Sequence, residues 1–391
     1  MAQIIKSENK NHEVADILYN HLNDYKSKYP LWPEHRKIVS DLLHCRTAHL
    51  GGHMERCDTC GLVRIRYHSC RNRHCPKCQH MPRERWLAKR KDEILPTSYF
   101  HVVFTLPHEL NTVILNNKKV MLTILFRAVS RTLLTFGRNE INSTLGFLAI
   151  LHTWDQKLNA HFHLHCLVAG GVVTKDKKQW RPLKNKYLFN QKALSRVYRG
   201  KFMQQLKLEH RNGTIKSNGP SFVNLKNMLY TKDWVVSVRE PVRRPEHVLE
   251  YLARYTHRVA IANSRIQKLE NGMVSFTAQN RKMQQTETIT ITAVEFIRRF
   301  LLHSLPKGFV RVRHYGFLAN RNRTENLNAI RQLMGLSALP EKMPATIEEI
   351  MLRLTGIDLS VCPCCKGKMQ FFAEIPKSRA GPLTKLACSA G

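Results

Sequence analysis

The segment His161-Phe162-His163-Leu164-His165 alternates imidazoles with large apolar side chains and runs on into Cys166-Leu-Val-Ala-Gly-Gly171. On an extended strand, successive side chains take opposite faces, so all three histidines project from one side while Phe162 and Leu164 enter a core on the other. Two imidazoles at i and i+2 can grip one divalent ion. A catalytic site needs in addition a third protein ligand and open positions for substrate oxygens. Half-buried packing is the competing role for a strand histidine, but three in alternation on a strongly basic chain favour a metal site. A zinc hydrolase with Asp and a further His directly after its His-x-His does not fit, because Cys166 and Leu167 occupy those places.

The thiols form a second constellation. Cys57-Asp-Thr-Cys60 and Cys75-Pro-Lys-Cys78 are two C-x-x-C knuckles fourteen residues apart. This spacing predicts one four-cysteine zinc site, each knuckle turning two thiolates toward a tetrahedral ion. In so small a segment the ion supplies folding free energy that a core cannot. Cys45, His53, Cys70 and His74 lie in the same window and offer ligands for a second zinc, with ordinary packing as the alternative. Near the end of the chain Cys362-Pro-Cys364-Cys365 makes a knuckle followed only by Cys388, an incomplete set that predicts no site. Arg64, Arg66, Arg71, Arg73 and Lys77 interleave with the ligands and predict a DNA-contacting surface, a solvated basic face being the alternative.

A third constellation is Tyr251-Leu-Ala-Arg-Tyr255, flanked by Arg254, His257 and Arg258. On a helix the two phenols share a face one turn apart. Such a pair usually packs in a core. Beside a metal and cations, however, a phenol can attack a phosphodiester. Two phenols permit two successive strand transfers without release of the first covalent DNA end.

These groups need a scaffold. Apolar positions Val14, Ile17, Leu18 and Leu22, then Ile38, Leu42 and Leu43, predict two short helices broken at Pro30 and Pro33. Strand-like runs occupy 101–106, 147–151 and 161–168, with an amphipathic helix over 113–136 between the first two. Further on, a strand at 234–238 precedes a helix over 246–256. Strands follow near 261, 274–278 and 286–292, then helices at 295–302, 326–336 and 347–354. Residues 174–230 are basic and poorly periodic apart from a helix near 194–206.

The 391 residues carry 63 Lys+Arg against 29 Asp+Glu, a net charge of +34, and are 43% hydrophobic. That is too apolar for disorder and long enough for two or three domains. Charge of this size on a folded chain predicts a polyanionic partner, nucleic acid by default. No apolar run approaches the roughly 20 residues that span a bilayer, and the first residues are polar and unlike a signal peptide. The expectation is a cytoplasmic, nucleoid-associated chain with no membrane role, whose eleven cysteines are thiolate ligands and not disulfides.

Histidine–hydrophobic–histidine on a strand followed by Tyr-x-x-x-Tyr on a later helix resembles the two-tyrosine class of HUH endonucleases. The likeness is closest to rolling-circle transposases of the bacterial insertion-sequence-ninety-one type, which carry an N-terminal zinc domain. It extends through Cys45-Arg-Thr-Ala-His-Leu-Gly-Gly-His53, Ser69-Cys-Arg-Asn-Arg-His-Cys-Pro-Lys-Cys78, Val103-Phe-Thr-Leu-Pro107 and Leu151-His-Thr-Trp154. It continues through His163-Leu-His165 with Gly170-Gly171, Tyr251-Leu-Ala-Arg-Tyr-Thr-His-Arg258 and Arg311-Val-Arg-His-Tyr-Gly316, so it covers residues 45–316.

The resemblance implies an α+β fold, a central antiparallel sheet flanked by helices. It implies N-terminal helices over 1–40, a zinc-binding domain over 41–90, a nuclease domain over 91–305, and a basic, mostly helical tail over 306–391. His163 and His165 then hold Mg²⁺ or Mn²⁺, and Tyr251 and Tyr255 form 5′-phosphotyrosine links with single-stranded DNA at transposon ends and target. The third ligand comes from upstream of the pair. His152 is favoured, with Asp155, Gln156 and His161 as alternatives, Asp155 because hard Mg²⁺ prefers oxygen. Arg254, Arg258, Arg71, Arg73, Arg311 and Arg313 are the expected DNA contacts, joined by Arg321 and Arg323 in the tail. There is no phosphate loop of the G-x-x-x-x-G-K-[ST] kind, so strand separation falls to host replication and helicase machinery. A non-catalytic zinc-dependent DNA-binding regulator and a plasmid rolling-circle replication initiator are the alternative readings.

Overall fold

The computed structural model describes residues 12–174, 176, 178–183, 188–216, 221–242, 247–248, 259–280, 283–341 and 346–378. In chain order the elements are helices α1 (Val14–Lys28) and α2 (Pro33–Leu43), strands β1 (Gly52–Cys57) and β2 (Val63–Tyr67), and helix α3 (His80–Lys91). Strand β3 (Tyr99–Thr105), helices α4 (Asn111–Asn116) and α5 (Lys118–Glu140), and the long strands β4 (Ser143–Trp154) and β5 (Ala160–Thr174) follow. Then come β6 (Trp180–Pro182), helices α6 (Gln191–Arg211) and α7 (Phe222–Thr231), β7 (Val236–Val238), β8 (Ile266–Glu270), β9 (Met273–Asn280) and β10 (Gln285–Thr292). The last are a helix over Ala293–Leu302, β11 (Val312–Gly316), helices over Arg323–Leu333 and Ile347–Thr355, and β12 (Met369–Ile375).

Packing groups these elements into two compact units, each built from separate stretches of chain. The second unit holds β3–β7, α4–α7, β11 and the helix over Arg323–Leu333. Its sheet has the order β11-β4-β5-β3-β7, with β6 added on β5 and every pairing antiparallel. The period-two pattern of β5 decides what each face does. Phe162, Leu164, Cys166 and Val168 bury with Phe100, Val102 and Phe104 of β3 and Phe147, Ala149 and Leu151 of β4. Leu125, Val129 and Leu133 of α5 and Leu194, Tyr198 and Phe202 of α6 cover that face in the same core. His163 and His165, one residue out of phase, face the other way. Gly171 has no Cβ for a reason: one there would stand 2.0 Å from the Trp180 ring on β6.

The stretch Lys118–Asn139 within α5 is long and apolar enough to cross a membrane, a feature not anticipated from the sequence. Its most apolar window is 67% buried inside this fold, so the apolarity serves the core.

The first unit holds α1, α2, β1, β2, β8–β10, the helix over Ala293–Leu302, the helix over Ile347–Thr355 and β12. Its sheets have the orders β12-β1-β2 and β10-β9-β8. α1 presents Val14, Ile17, Leu18 and Tyr25 as one buried stripe, and its Val14 N–H is bonded by Asn263 Oδ1 at 3.2 Å. His35 of α2 meets Ser304 Oγ at 3.0 Å, so the N-terminal helices pack with the 263–304 segment.

The packing units do not follow the order of the chain. Residues 263–304 sit with the cysteine-rich segment and not with the histidine sheet, and β11, assigned to a helical tail, is an edge strand of that sheet. β11 (Val-Arg-His-Tyr-Gly) is half-buried along its whole length, as an edge strand paired on one side is, so it shows no apolar alternation.

Candidate metal centres and nucleic-acid surface

The β4–β5 hairpin creates the histidine cluster. His152 lies directly opposite His163 in register, and His165 follows two residues on, so all three share the face away from the core. They are buried, and one atom of each imidazole lies within 4.8 Å of the others. His163 Nε2 and His165 Nε2 are 3.1 Å apart, and the His152 and His165 ring centroids 4.5 Å apart.

The remaining ring nitrogens explain this approach. His163 Nδ1 is 3.0 Å from the His161 carbonyl, which can only accept, so Nδ1 carries the proton and a neutral ring leaves Nε2 with a lone pair. His165 Nδ1 is 2.9 Å from His101 Nε2 on the neighbouring strand, and in the tautomer in which Nδ1 donates there, His165 Nε2 is left with a lone pair. At 3.1 Å the two Nε2 atoms can share a proton in one tautomer of His165 and face a common cation in the other. Adjacent ligands of an octahedral ion with bonds of about 2.1 Å are about 3.0 Å apart, so the pair suits a small divalent metal. His101, buried beside His165, has no motif of its own in the sequence; its signal is its parity with Val103 and Thr105, which lie opposite His165 and His163.

The other candidate ligands take different places. The Asp155 carboxylate holds the hairpin turn, accepting from the N–H groups of Lys157 at 2.8 Å and Asn159 at 2.7 Å and from Asn159 Nδ2 at 2.9 Å. Gln156 is in the same turn. His161 is exposed at the start of β5, its ring centroid 4.7 Å from that of His163 and outside the three-histidine cluster. Tyr251, Tyr255, Arg254, His257 and Arg258 lie outside the described residues.

The cysteines form two clusters, and their membership corrects the pairing expected from spacing. Cys57 and Cys60 do not share a site with Cys75 and Cys78. Cys45, Cys70, Cys75 and Cys78 gather in one place, and Cys57, Cys60, Cys362 and Cys365 in another. The reason is topological: β1 ends at Cys57 and carries its knuckle away from the loop after β2, toward β12. The C-terminal knuckle, set aside for want of partners, therefore has them. His53 and His74 are in neither cluster; His53 Nε2 is 3.5 Å from Glu55 Oε1.

In the first cluster Sγ···Sγ distances are 3.4 Å for Cys45–Cys78 and 3.6 Å for Cys45–Cys75 and Cys70–Cys78. Four thiolates around zinc at about 2.3 Å have edges of about 3.8 Å, whereas a disulfide needs about 2.05 Å. Hydrogen bonds from Cys45, Cys70 and Cys75 hold Cys78 far below the ordinary thiol range, and one from Cys70 brings Cys45 down to about 7. In the second cluster Cys57–Cys365 is 3.4 Å and Cys60–Cys362 3.7 Å. The Cys365 backbone N–H lowers Cys362 to about 6, and that of Cys60 lowers Cys57. The same contacts raise Cys70 and Cys75 in the first cluster and Cys60 and Cys365 in the second, so without an ion each cluster shares its negative charge among part of its sulfurs.

The basic residues divide as well. Arg64 and Arg66 both bond Glu55 Oε2, with Arg64 Nη2 at 2.6 Å and Arg66 Nε at 2.8 Å, and Lys77 pairs with Glu13 at 2.7 Å. These three are held inside the protein's own ion pairs. Arg71 is exposed in the left-handed region at φ 54°, and Arg73 is half-buried. The Arg311 carbonyl accepts from the Leu151 N–H at 2.9 Å, which seats Arg311 one strand over, beside the residue preceding His152. Arg313 lies over the Phe126 ring at 4.0 Å and lines a cleft of about 600 Å³ with Lys119, Lys307, Phe309 and His314. Burial, with Arg323 and Arg90 nearby, pushes His314 down to about 3, so its imidazole is neutral there.

Comparisons with known proteins agree on one family. The family described as "Putative transposase" matches residues 146–326, and the one described as "Transposase zinc-binding domain" matches residues 17–106. "Putative transposase y4qJ" of Sinorhizobium fredii is 39% identical over 385 residues, covering 95% of this chain and 97% of that protein. "Transposase for insertion sequence element IS801" of Pseudomonas savastanoi pv. phaseolicola is 24% identical over 351 residues, covering 87% of this chain and 83% of its own. No solved structure matches the chain. With zinc-binding and transposase domains in this order and a relative alike along almost its whole length, the chain belongs to the insertion-sequence-ninety-one family of transposases.

Proposed function

We propose that this transposase nicks and rejoins single-stranded DNA at the ends of its element through 5′-phosphotyrosine links, driving rolling-circle transposition. The observation that carries the reading is the convergence of His152, His163 and His165 on one sheet face, with the Nε2 atoms of the pair 3.1 Å apart. A bound Mg²⁺ or Mn²⁺ there would polarise a scissile phosphate. The His161 carbonyl keeps His163 in the metal-binding tautomer, and with His101 Nε2 as acceptor His165 would present Nε2 in the same way.

Tyr251 and Tyr255 are the nucleophiles in this reading. A phenolate oxygen forms a bond to phosphorus, the bond from phosphorus to O3′ breaks, and the leaving 3′ oxygen takes a proton to become a free 3′-OH. Phosphotyrosine conserves the energy of the broken diester, so the step needs no ATP. Arg254 and Arg258 flank the tyrosines in sequence and would steady phosphate charge. Arg311 and the cleft around Arg313 would hold the strand by its backbone, a salt-sensitive contact, and Arg71 and Arg73 would make separate phosphate contacts from the cysteine-rich unit. A structural zinc on Cys45, Cys70, Cys75 and Cys78 supports the end-binding module. The setting is the cytoplasmic nucleoid, with strand separation supplied by host replication and helicase proteins.

The test is cleavage of labelled single-stranded DNA carrying the element's end, with Mn²⁺ or EDTA, resolved on denaturing gels. The expected result is a metal-dependent covalent protein–DNA adduct, lost when Tyr251→Phe and Tyr255→Phe are combined and when His163→Ala and His165→Ala are combined. Tight, salt-sensitive binding without adduct would replace this reading with a non-catalytic regulator.

A further inference from the structure

We infer that the knuckles Cys57/Cys60 and Cys362/Cys365, which meet across 302 residues of chain from Cys60 to Cys362, hold one zinc ion as a four-thiolate site that fastens β12 to β1. The inference is independent of the strand-transfer reading.

The two knuckles are the same turn made twice. In each, the first cysteine N–H donates to the carbonyl five residues on: Cys57 to Leu62 at 2.9 Å, and Cys362 to Gly367 at 2.8 Å. The N–H four residues on returns to that cysteine's carbonyl, from Gly61 at 3.2 Å and from Lys366 at 3.1 Å. Both of those residues are left-handed, at φ 73° and 65°. Repetition of a strained turn, once with a residue other than glycine, marks a geometry that is required. A pair of such turns facing one another is how two C-x-x-C knuckles deliver four sulfurs to one tetrahedral ion.

The knuckles are also latched to each other. Asp58 N–H donates to the Lys368 carbonyl at 3.1 Å, and Lys368 N–H to Asp58 Oδ1 at 3.0 Å. Gly367 is tight against Thr59, where a Cβ would stand 2.4 Å from its hydroxyl. Apolar packing at this point is slight: Cys57, Cys362 and Met369 are the buried members, with Leu62 beside them. Four sulfurs in mutual contact over so small a core need an ion to hold them. Cys364 is exposed and belongs to neither cluster, so the motif contributes its outer two thiols.

The experiment uses the full reduced chain as purified. Zinc measured by elemental analysis is expected at two ions per chain, falling to one in the Cys362→Ser/Cys365→Ser double variant and staying at two in Cys364→Ser. On the parent chain, iodoacetamide mapped by mass spectrometry is expected to label Cys364 at once. Cys57, Cys60, Cys362 and Cys365 should be labelled only after zinc is chelated. This second measurement stands even where the double variant fails to fold. One zinc in the parent, or labelling of Cys362 and Cys365 as fast as Cys364 while zinc is bound, would overturn the inference.

Discussion

The sheet that bears His152, His163 and His165 has a full apolar face, running from Phe100 to Val172, with α5 and α6 laid over it. The sheet β12-β1-β2 is antiparallel too, yet its buried apolar set shrinks to Cys57, Cys362 and Met369. In the first sheet, packing and register place the imidazoles, so a metal would enter a site already built. In the second, the strands are short and the sulfurs are the core, so a metal would build the site and the fold together. One chain thus places its candidate metal ligands by two different forces.

The largest expected effect breaks the comparison outright if it fails. Chelating metal from the reduced chain is expected to raise amide exchange in β1, β2 and β12 about 100-fold or more, with β4 and β5 staying protected, as read by hydrogen-exchange mass spectrometry. Equal exposure of both sheets would show that metal holds them alike. Next, Phe162→Ala should cost about 3–5 kcal/mol of stability by denaturant titration, because it opens a cavity in the large core. Zinc content should not change; a loss below about 1 kcal/mol would deny that this face carries the sheet.

Smaller effects sharpen the contrast. His101→Ala should weaken Mn²⁺ binding by about 10–100-fold in calorimetry with the fold intact, since it frees His165 to turn. Unchanged affinity would mean that the strand alone fixes that ring. The smallest effect concerns Glu295, held down at about 2 by the Arg298 side chain first and by Arg299. Its carboxyl is depressed, so the stability it adds is present above the ordinary value of 4.5 and lost as pH falls toward 2. Partial solvent exposure limits this to a few tenths to about 1 kcal/mol. Glu295→Gln should therefore lower the urea midpoint at pH 6 and converge with the parent near pH 2; a constant gap across that range would refute the ion pair.

The histidine strand was legible because its polar and apolar positions alternate, and a strand of that pattern has only one way to face a core. Helices α1, α2, α6 and that over Ala293–Leu302 were legible from their periodic apolar positions. The position of His152 opposite His163 depends on a hairpin register interrupted by a bulge near Trp154, and Asp155 looked like a ligand because nothing local reveals that its carboxylate closes the turn. The partnering of knuckles was hidden for a different reason: every C-x-x-C reads alike, and proximity in sequence misled when the true partner was 302 residues away. Arg64 and Arg66 looked free because Glu55 reaches them only across a strand pair.

The separation of Cys60 from Cys362 also sets a clock. Translation at about 5–20 residues per second places roughly 15–60 s between the emergence of the first knuckle and that of its partner. The cluster of Cys45 and Cys78, 33 residues apart, can close within about 2–7 s at the same rate. During the interval the thiols of Cys57 and Cys60 wait on the ribosome-bound chain, open to oxidation or to the wrong cysteine. Any chain cut short before residue 362 keeps that knuckle open for good, so closure of the cluster reports that synthesis has passed Cys365.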